Sequence, residues 1–476
     1  MVGVIGRGRA LLAVCVSVSM LLMGTASSAT ASQSDFNKAR ALGLEAYTYG
    51  LPVLETNKTF LTMTSVNVSN DQGFGPVNQF NSVRKLNNPT SKAVVAPGAN
   101  ALSSIAWLDL RSGPQVLHVP RVRDHFFVLA LLDPYTNDII NLGSVHSTKP
   151  GYYVIAGPGQ HDVRIPSGTQ RIDVDYTRIW IIGSTQLKGS KDLANVNRIQ
   201  DGYTLTPLGK WDVDNYVPPR SAHPNTKVEN YQLPSGLQFF DVLGQQLKRF
   251  PPPAADRREL QQLRAVGIGP GMEPSKNEHL SADTLRGLRA AVAAGQNQIK
   301  ADASSLYLSG FAKHDGYFLG GFGRYGTNYE LRATVAMMGL GAFSSDQAIF
   351  AMGLTDHSLR PLSGSTSYVL HMRALPPVNE GWTVTVYTTQ GFLVPNPINR
   401  YQFNQAAKLA RNRDGSVDIY LQTSRPSNPA QAENWLPTPK TGGFEVIWRL
   451  LAPKPAAING VLNGTGWQPP AITALP

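Results

Sequence analysis

Between Val94 and Ser184 the chain carries a series of short runs, Val116–Val119, Phe126–Leu132, Tyr152–Ala156, Arg171–Val174 and Ile179–Ile182, each separated from the next by Gly, Pro or polar turn residues. Runs this short cannot make helices that bury a face, and their repetition between turn signals is the pattern of an antiparallel sandwich or jelly roll. With 44 Gly and 34 Pro, the chain has the punctuation such a fold needs. A second β-rich stretch follows in the C-terminal third. There, alternating sequence surrounds Asp356, Tyr368, Trp382 and Tyr387 and ends in the polar turn Pro395–Arg400.

Helical sequence lies outside these two stretches. Ser34 and Asp35 suit the start of a helix running to about Tyr49, with Phe36, Ala39, Leu42 and Ala46 on its buried face. Phe239, Val242, Leu243, Leu247 and Phe250 mark a second helix, stopped by Pro251–Pro253; Leu260 and Leu263 mark a third, and Leu285, Leu288, Val292 and Ile299 a fourth. Pro207–Pro234 reads as a long polar strap or lid holding Trp211 and Tyr216. After the glycine-rich approach from Gly321, a further helix runs toward Gly339, burying Ala333, Ala336, Met337 and Leu340, with Arg332 beside that stripe. The expected architecture is mainly β with a helical connector: two antiparallel sandwich or jelly-roll-like halves joined by α-helices. Its boundaries are a leader over 1–31, an N-terminal β-rich domain over 32–234, the connector over 235–310 and a C-terminal β-rich domain over 311–476.

The leader is expected from Arg7 and Arg9, the apolar run Ala10–Met23 and the small residues Ala29 and Ala31, with cleavage after Ala31 and export to the cell envelope or beyond. The apolar run is too short to span a bilayer comfortably, and no later stretch reads as a transmembrane helix. Cys15 is the single cysteine, so a chain cut after Ala31 has no disulfide, thiol nucleophile or thiolate metal site. The net charge of +11 falls to +9 when Arg7 and Arg9 leave. That balance suits an anionic cell-envelope surface. The basic residues are scattered without interleaved aromatics, which argues against nucleic acid.

Nine histidines are present, none in a zinc-binding spacing, so no metal or other cofactor is expected. His118, in Val116–Val119, faces either a pocket or a structural hydrogen bond. No Gly-x-Ser-x-Gly elbow occurs. Paired carboxylates are the remaining chemistry, because glycoside cleavage needs two acids with separated pKa values. Asp109, Asp133, Asp138 and Asp356 sit near expected strand ends, where turn-forming aspartates are also common. Tyr325, Tyr329, Tyr387, Trp382 and Trp435 offer an aromatic wall or ordinary core.

The runs Tyr325–Ala333, Pro361–Gly364, Gly391–Asn396, Asn399–Tyr401, Asp414–Ser416 and Asn434–Pro437 resemble the domain-of-unknown-function family 1214. Tyr49–Pro52, Trp107–Leu110 and Leu132–Asn137 resemble its N-terminal companion, family 1254. Relatives carry Pro-Asn-x-Asp-Thr-x-Tyr before the Trp-Leu-Asp-Leu strand, where this chain has Pro97–Ser103. The family's acid thus becomes Asn100, and the acid of the Tyr-Gly-x-Asp-Tyr element becomes Asn328. An amide keeps an acceptor oxygen but loses charge and basicity.

Three functions follow as expectations. The first is a metal-independent hydrolase acting on a glycan or ester in the cleft between the halves, with Asp356 and Arg332 catalytic. Its substrate would be held by Tyr325, Asn328, Tyr329, Tyr387, Asn396, Arg400, Trp435, Asn100 and His118. The second is a cell-surface protein that binds a small molecule, lipid or glycan without chemistry. The third is a structural protein that forms homo-oligomers. For Arg332 the alternative role is pairing with a buried carboxylate such as Asp356.

Overall fold

A computed structural model describes residues 9–92, 95–212, 216–314, 317–319 and 322–476, with side chains from Ser32 onward except at 190, 306–309 and 311–313. Residues 1–8 of the expected leader, Val94, and Gly320 and Gly321 of the glycine-rich run lie outside the described residues. In chain order the helices are α1 (Arg9–Met63), α2 (Leu193–Asp201), α3 (Leu237–Arg249), α4 (Arg257–Leu263), α5 (Ala282–Lys313), α6 (Tyr329–Gly339), α7 (Pro429–Glu433) and α8 (Pro455–Asn463). Among the described residues, no helix is long and apolar enough to cross a membrane.

Compactness divides the chain into two units, Met1–Leu54 with Leu233–Lys300 and Glu55–Gln232 with Ala301–Pro476. This line differs from the sequence boundaries at 234 and 310. Most of the expected connector shares a unit with the N-terminal helix, and the two β-rich halves share the other.

The first unit is helical. On α3, Phe239, Leu243 and Leu247 are fully buried, and Phe250 follows at 1 % exposure before Pro251–Pro253 ends the helix by removing amide donors. Gly287 of α5 faces α1, where an added β-carbon would lie 2.5 Å from the Phe36 carbonyl oxygen; the helices cross this closely only because no side chain is there. The helix expected over 35–49 continues through Pro52 to Met63. Proline costs one backbone hydrogen bond, but Phe60 and Met63 in the final turns pack into an apolar cluster, and that burial offsets the loss. Ser34 therefore lies inside α1, and a capping role arises only in a chain cut after Ala31.

The second unit is the β-rich body. Its first half contains β1 (Asn81–Ser82), β2 (Ala101–Asp109), β3 (Gln115–Val119), β4 (Phe127–Leu132), β5 (Asp138–Gly143), β6 (Gly151–Ala156), β7 (Thr169–Asp173), β8 (Arg178–Gln186) and β9 (Thr204–Pro207). They form sheets in the orders β1-β2-β8-β4-β5 and β7-β6-β3-β9. The second half contains β10 (Tyr317–Leu319), β11 (Ala348–Gly353), β12 (Tyr368–Met372), β13 (Val378–Thr388), β14 (Gln402–Asn404), β15 (Val417–Gln422), β16 (Trp435–Pro437), β17 (Phe444–Pro453) and β18 (Ile472–Ala474). Here too a five-stranded sheet, β10-β11-β17-β13-β14, accompanies a four-stranded one, β16-β15-β12-β18. Pairing is antiparallel except for β6 with β7 and β15 with β16.

The halves share apolar core. Trp107 and Trp180 stack across β2 and β8 at 4.7 Å, and Leu340, Phe343 and Leu451 of the second half pack on the same cluster. The strap after β9 docks on the chain following α1, with the Asn225 amide donating to Asn67 Oδ1 at 2.6 Å and Glu229 to Ser65 Oγ at 3.0 Å.

Candidate functional site

The hairpin joining β4 to β5 turns over residues 133–137 and is closed by its own first residue. Asp133 Oδ1 accepts the amide hydrogens of Tyr135 at 2.8 Å and Asn137 at 2.9 Å, and Oδ2 accepts the Asn137 side chain at 2.9 Å. Such a turn satisfies the carboxylate locally. It also leaves Asp133 only 5 % exposed. Burial pushes its pKa up to about 6, against the pull of the Asn137 and Tyr135 donors and the Arg332 guanidinium.

Asp138 opens β5 and is 1 % exposed. Its Oδ2 accepts the Ser344 amide at 2.8 Å and the Asn141 side chain at 3.0 Å, and its own amide donates to the Gly323 carbonyl at 2.7 Å. The other oxygen, Oδ1, is buried without a hydrogen-bond partner among the described residues, as is Asn141 Oδ1. Burial raises the Asp138 pKa and favours the neutral acid.

The second half supplies the loop before α6 and the helix itself. Gly323 holds φ at +82°, and a β-carbon there would meet the Ser344 amide nitrogen at 2.5 Å, so the loop reaches β5 only with glycine. Asn328 caps α6, its side chain accepting the Leu331 amide at 3.0 Å. Arg332, one turn later, is 1 % exposed, with its guanidinium 5.1 Å from the Tyr329 ring centre and 5.6 Å from that of Tyr135. Tyr325 is buried, and its hydroxyl meets no hydrogen-bond partner of good geometry among the described residues, although the Gly323 backbone lies near enough to lower its pKa. Burial pushes this phenol up to about 12, with the Asp138 charge adding to the effect and Arg332 opposing it. Tyr325 is therefore a neutral phenol at any physiological pH. Asp133, Tyr135 and Asp138 of one half meet Tyr325, Tyr329 and Arg332 of the other.

The other expected site residues lie elsewhere. Asp356 accepts the Ser358 and Arg360 amides at 2.8 and 3.0 Å and the Arg360 guanidinium at 2.9 Å. Burial pushes this carboxyl up, but those donors and the Arg360 charge outweigh it and hold Asp356 below its ordinary value. The cation acting on Asp356 is thus Arg360, four residues along the same turn, whereas Arg332 acts on Asp133. Asp356 borders a surface hollow of about 420 Å³ with Arg360, Ser363, Thr366 and Tyr368. Asp109 pairs with Arg111 at the surface. Asn396 and Arg400 close a loop on Trp435: Asn396 Nδ2 donates to the Arg400 carbonyl at 2.9 Å, and Arg400 donates to the Trp435 carbonyl at 2.8 Å. His118 Nδ1 lies 2.7 Å from the Gly202 carbonyl, its ring 4.7 Å from that of Tyr152. Among the described residues no three metal-ligating side chains gather.

A second polar seam joins Tyr387 to the chain leading to Asn100. The Tyr387 hydroxyl donates to the Pro97 carbonyl at 2.8 Å, Arg449 donates to the Ala96 carbonyl at 2.7 Å, and Asn100 Nδ2 is buried without a partner among the described residues. Glu445 lies opposite Tyr387 in register and is raised by burial to about 7, with Arg449 opposing. Sequence reasoning missed Glu445 and Arg449. Their signal was two charges four residues apart, on one face of the otherwise apolar β17.

Two family matches cover these regions. The family described as "Protein of unknown function (DUF1254)" matches residues 77–207, and "Protein of unknown function (DUF1214)" matches residues 347–455. The chain carries a DUF1254 domain followed by a DUF1214 domain. Asp133, Tyr135, Asp138 and Asn141 lie in the DUF1254 region, whereas Tyr325, Arg332 and Ser344 fall between the two matches. No curated protein matches the chain. The crystal structure of the VPA0106 protein from Vibrio parahaemolyticus aligns with a TM-score of 0.67 at 18% identity, covering 92% of this chain and 100% of that one, and so shares its fold. The crystal structure of an uncharacterized Burkholderia cenocepacia protein aligns at a TM-score of 0.41 and 10% identity, over 96% of this chain and 98% of that one.

Proposed function

We propose that the chain is a hydrolase of glycosidic bonds, acting at the seam where Asp133 and Asp138 meet Tyr325 and Arg332. The observation that carries this is the setting of Asp138, a buried carboxyl whose pKa is raised. Of its two oxygens, one is hydrogen-bonded and the other has no partner among the described residues, in the neighbourhood of the similarly unpartnered Tyr325 hydroxyl. Water cleaves a glycoside when one carboxyl gives a proton to the departing oxygen and a second group takes a proton from the water. Asp133, with its pKa pushed up to about 6, is the donor in its protonated form. Asp138, whose Oδ1 has no partner among the described residues, is the acceptor. The water hydroxyl bonds to the anomeric carbon as the glycosidic C–O bond breaks, the water proton passes to Asp138, and the Asp133 proton leaves with the alcohol. Exchange with solvent then resets both acids. Arg332 and the Tyr325 phenol hold the sugar oxygens.

The acids are buried, so substrate enters when the loop over residues 323–328 is displaced; its outer residues Arg324, Gly326, Thr327 and Asn328 are already exposed. The test is a panel of oligosaccharides and aryl glycosides, with aryl esters as a separate arm. Glycoside cleavage that falls at least ~100-fold in Asp138→Asn, with the fold intact, is the expected result. Cleavage of esters alone would reassign the bond, and equal rates for parent and variant would remove the site.

A glycan-binding role without chemistry draws on another feature. Tyr152, 41 % exposed, lies against His118 with Trp211 edge-on at 4.8 Å, an aromatic surface suited to a sugar face. Glycan-array retention lost in Tyr152→Ala but kept in Asp138→Asn would favour it.

We further propose export with cleavage after Ala31. Under it, the N-terminus of protein recovered from the envelope or medium is Ser32, and an intact leader on cytosolic protein refutes it.

A further inference from the structure

The helical unit holds a hollow of about 280 Å³ that the acid cluster does not use. Its floor is Tyr47 of α1 and Phe239 of α3, both buried, with rings stacked at 4.6 Å and 22°. Leu233 on the strap before α3 and Val292 and Ala293 on α5 complete an apolar wall. On the same face of α5, Arg289 is exposed at the rim and has no ion-pair partner among the described residues, and none of the lining residues is acidic. The N-cap of the 13-residue α3 is Gly236, which also lines the hollow and offers no side chain to the first amides, so the positive end of α3 adds to the same potential.

Size and chemistry together narrow the occupant. At about 280 Å³ the hollow sits just below the usual range of small-molecule sites, roughly 300–1,000 Å³, and is too small for a peptide or a two-chain lipid. Stacked rings and aliphatic walls suit a ring or short alkyl body. A guanidinium with no carboxylate of its own suits a planar carboxylate, which its fork can bind through two hydrogen bonds. We infer that this hollow binds a small amphiphilic carboxylate, its apolar body over Tyr47 and Phe239 and its charge on Arg289. The site is independent of the hydrolase proposal.

Aromatic acids and medium-chain fatty acids share this chemistry, and the full-length protein can be titrated with both by calorimetry. The probes are 4-phenylbutyrate and octanoate, each against its neutral counterpart, 4-phenylbutanol and octan-1-ol. At least one acid is expected to bind, with its alcohol at least tenfold weaker; which acid binds identifies the source. Arg289→Gln should weaken that acid at least tenfold. Ala293→Phe, which fills the hollow from an exposed position, should abolish binding while leaving Arg289 in place. Both substitutions are at exposed positions on α5, and unchanged melting temperatures would confirm that the variants fold. The inference is overturned if neither acid binds at millimolar concentration, if the alcohol binds as well as the acid, or if either substitution leaves affinity unchanged.

Discussion

Asp133 and Asp356 are both buried aspartates that close a turn with their own carboxylates, yet their pKa values move in opposite directions. At Asp356 the Arg360 guanidinium joins two amides in direct contact, whereas at Asp133 the nearby cation contributes less than burial removes. Because the folded pKa of Asp133, about 6, exceeds the ordinary carboxyl value of 3.8, its stabilising contribution is fully present below about pH 4 and is lost as pH rises through 6. Urea unfolding at pH 4.5 and 7.5 should therefore show the parent losing up to about 2 kcal/mol relative to Asp133→Asn over that interval; parallel pH slopes would rule this out. Arg332→Ala removes a fully buried side chain together with the charge that acts on Asp133, and should lower stability in the same assay. A variant that keeps both its stability and every activity of the parent would show that Arg332 neither ties the halves together nor serves a site. Asp109, Asp133, Asp138 and Asp356 were all legible as carboxyls near strand ends, with Asp356 the expected catalytic one; the sequence could not set Asp133 and Asp138 above it, since desolvation depends on what packs over a carboxyl and not on its neighbours in the chain.

At the scale of the element, much was legible. The strands expected over Val116–Val119, Phe126–Leu132, Tyr152–Ala156, Arg171–Val174 and Ile179–Ile182 correspond to β3, β4, β6, β7 and β8 within a few residues. Strand β5 was not anticipated, because its polar start at Asp138 and Asn141 serves contacts with Ser344 that exist only after the halves meet. The end of α1 was misplaced for a similar reason: Pro52 is a sound local stop signal, overridden by distant packing of Phe60 and Met63. Asn328, where relatives carry an acid, is the α6 N-cap, a position at which Asn and Asp are nearly equivalent. Thermal or chemical denaturation should show Asn328→Ala costing about 1 kcal/mol and Asn328→Asp close to none. A comparable loss in both would mean the amide does something other than cap.

For the β-rich body as a whole, the sequence indicated two halves but could not say that they are one cooperative structure. Leu340, Phe343 and Leu451 packed on the Trp107–Trp180 cluster, and hydrogen bonds from Tyr387 and Arg449 to the Pro97 and Ala96 carbonyls, predict that the halves unfold together. Fluorescence of variants retaining only Trp107 and Trp180, or only Trp382 and Trp448, should report coincident transitions; separated midpoints would show independent halves. The same union assembles the candidate site, whose acids Asp133 and Asp138 come from the first half and whose Tyr325 and Arg332 come from the second. Its proposed chemistry is tested most directly by the pH dependence of kcat/KM on a cleaved glycoside, compared between the parent and Asp133→Asn. The parent should fall on the alkaline side with an apparent pKa near 6 as Asp133 loses its proton. In Asp133→Asn the rate should drop and that limb should vanish; an alkaline limb near 6 that persists unchanged in the variant would contradict the assignment of these carboxyls as the catalytic pair.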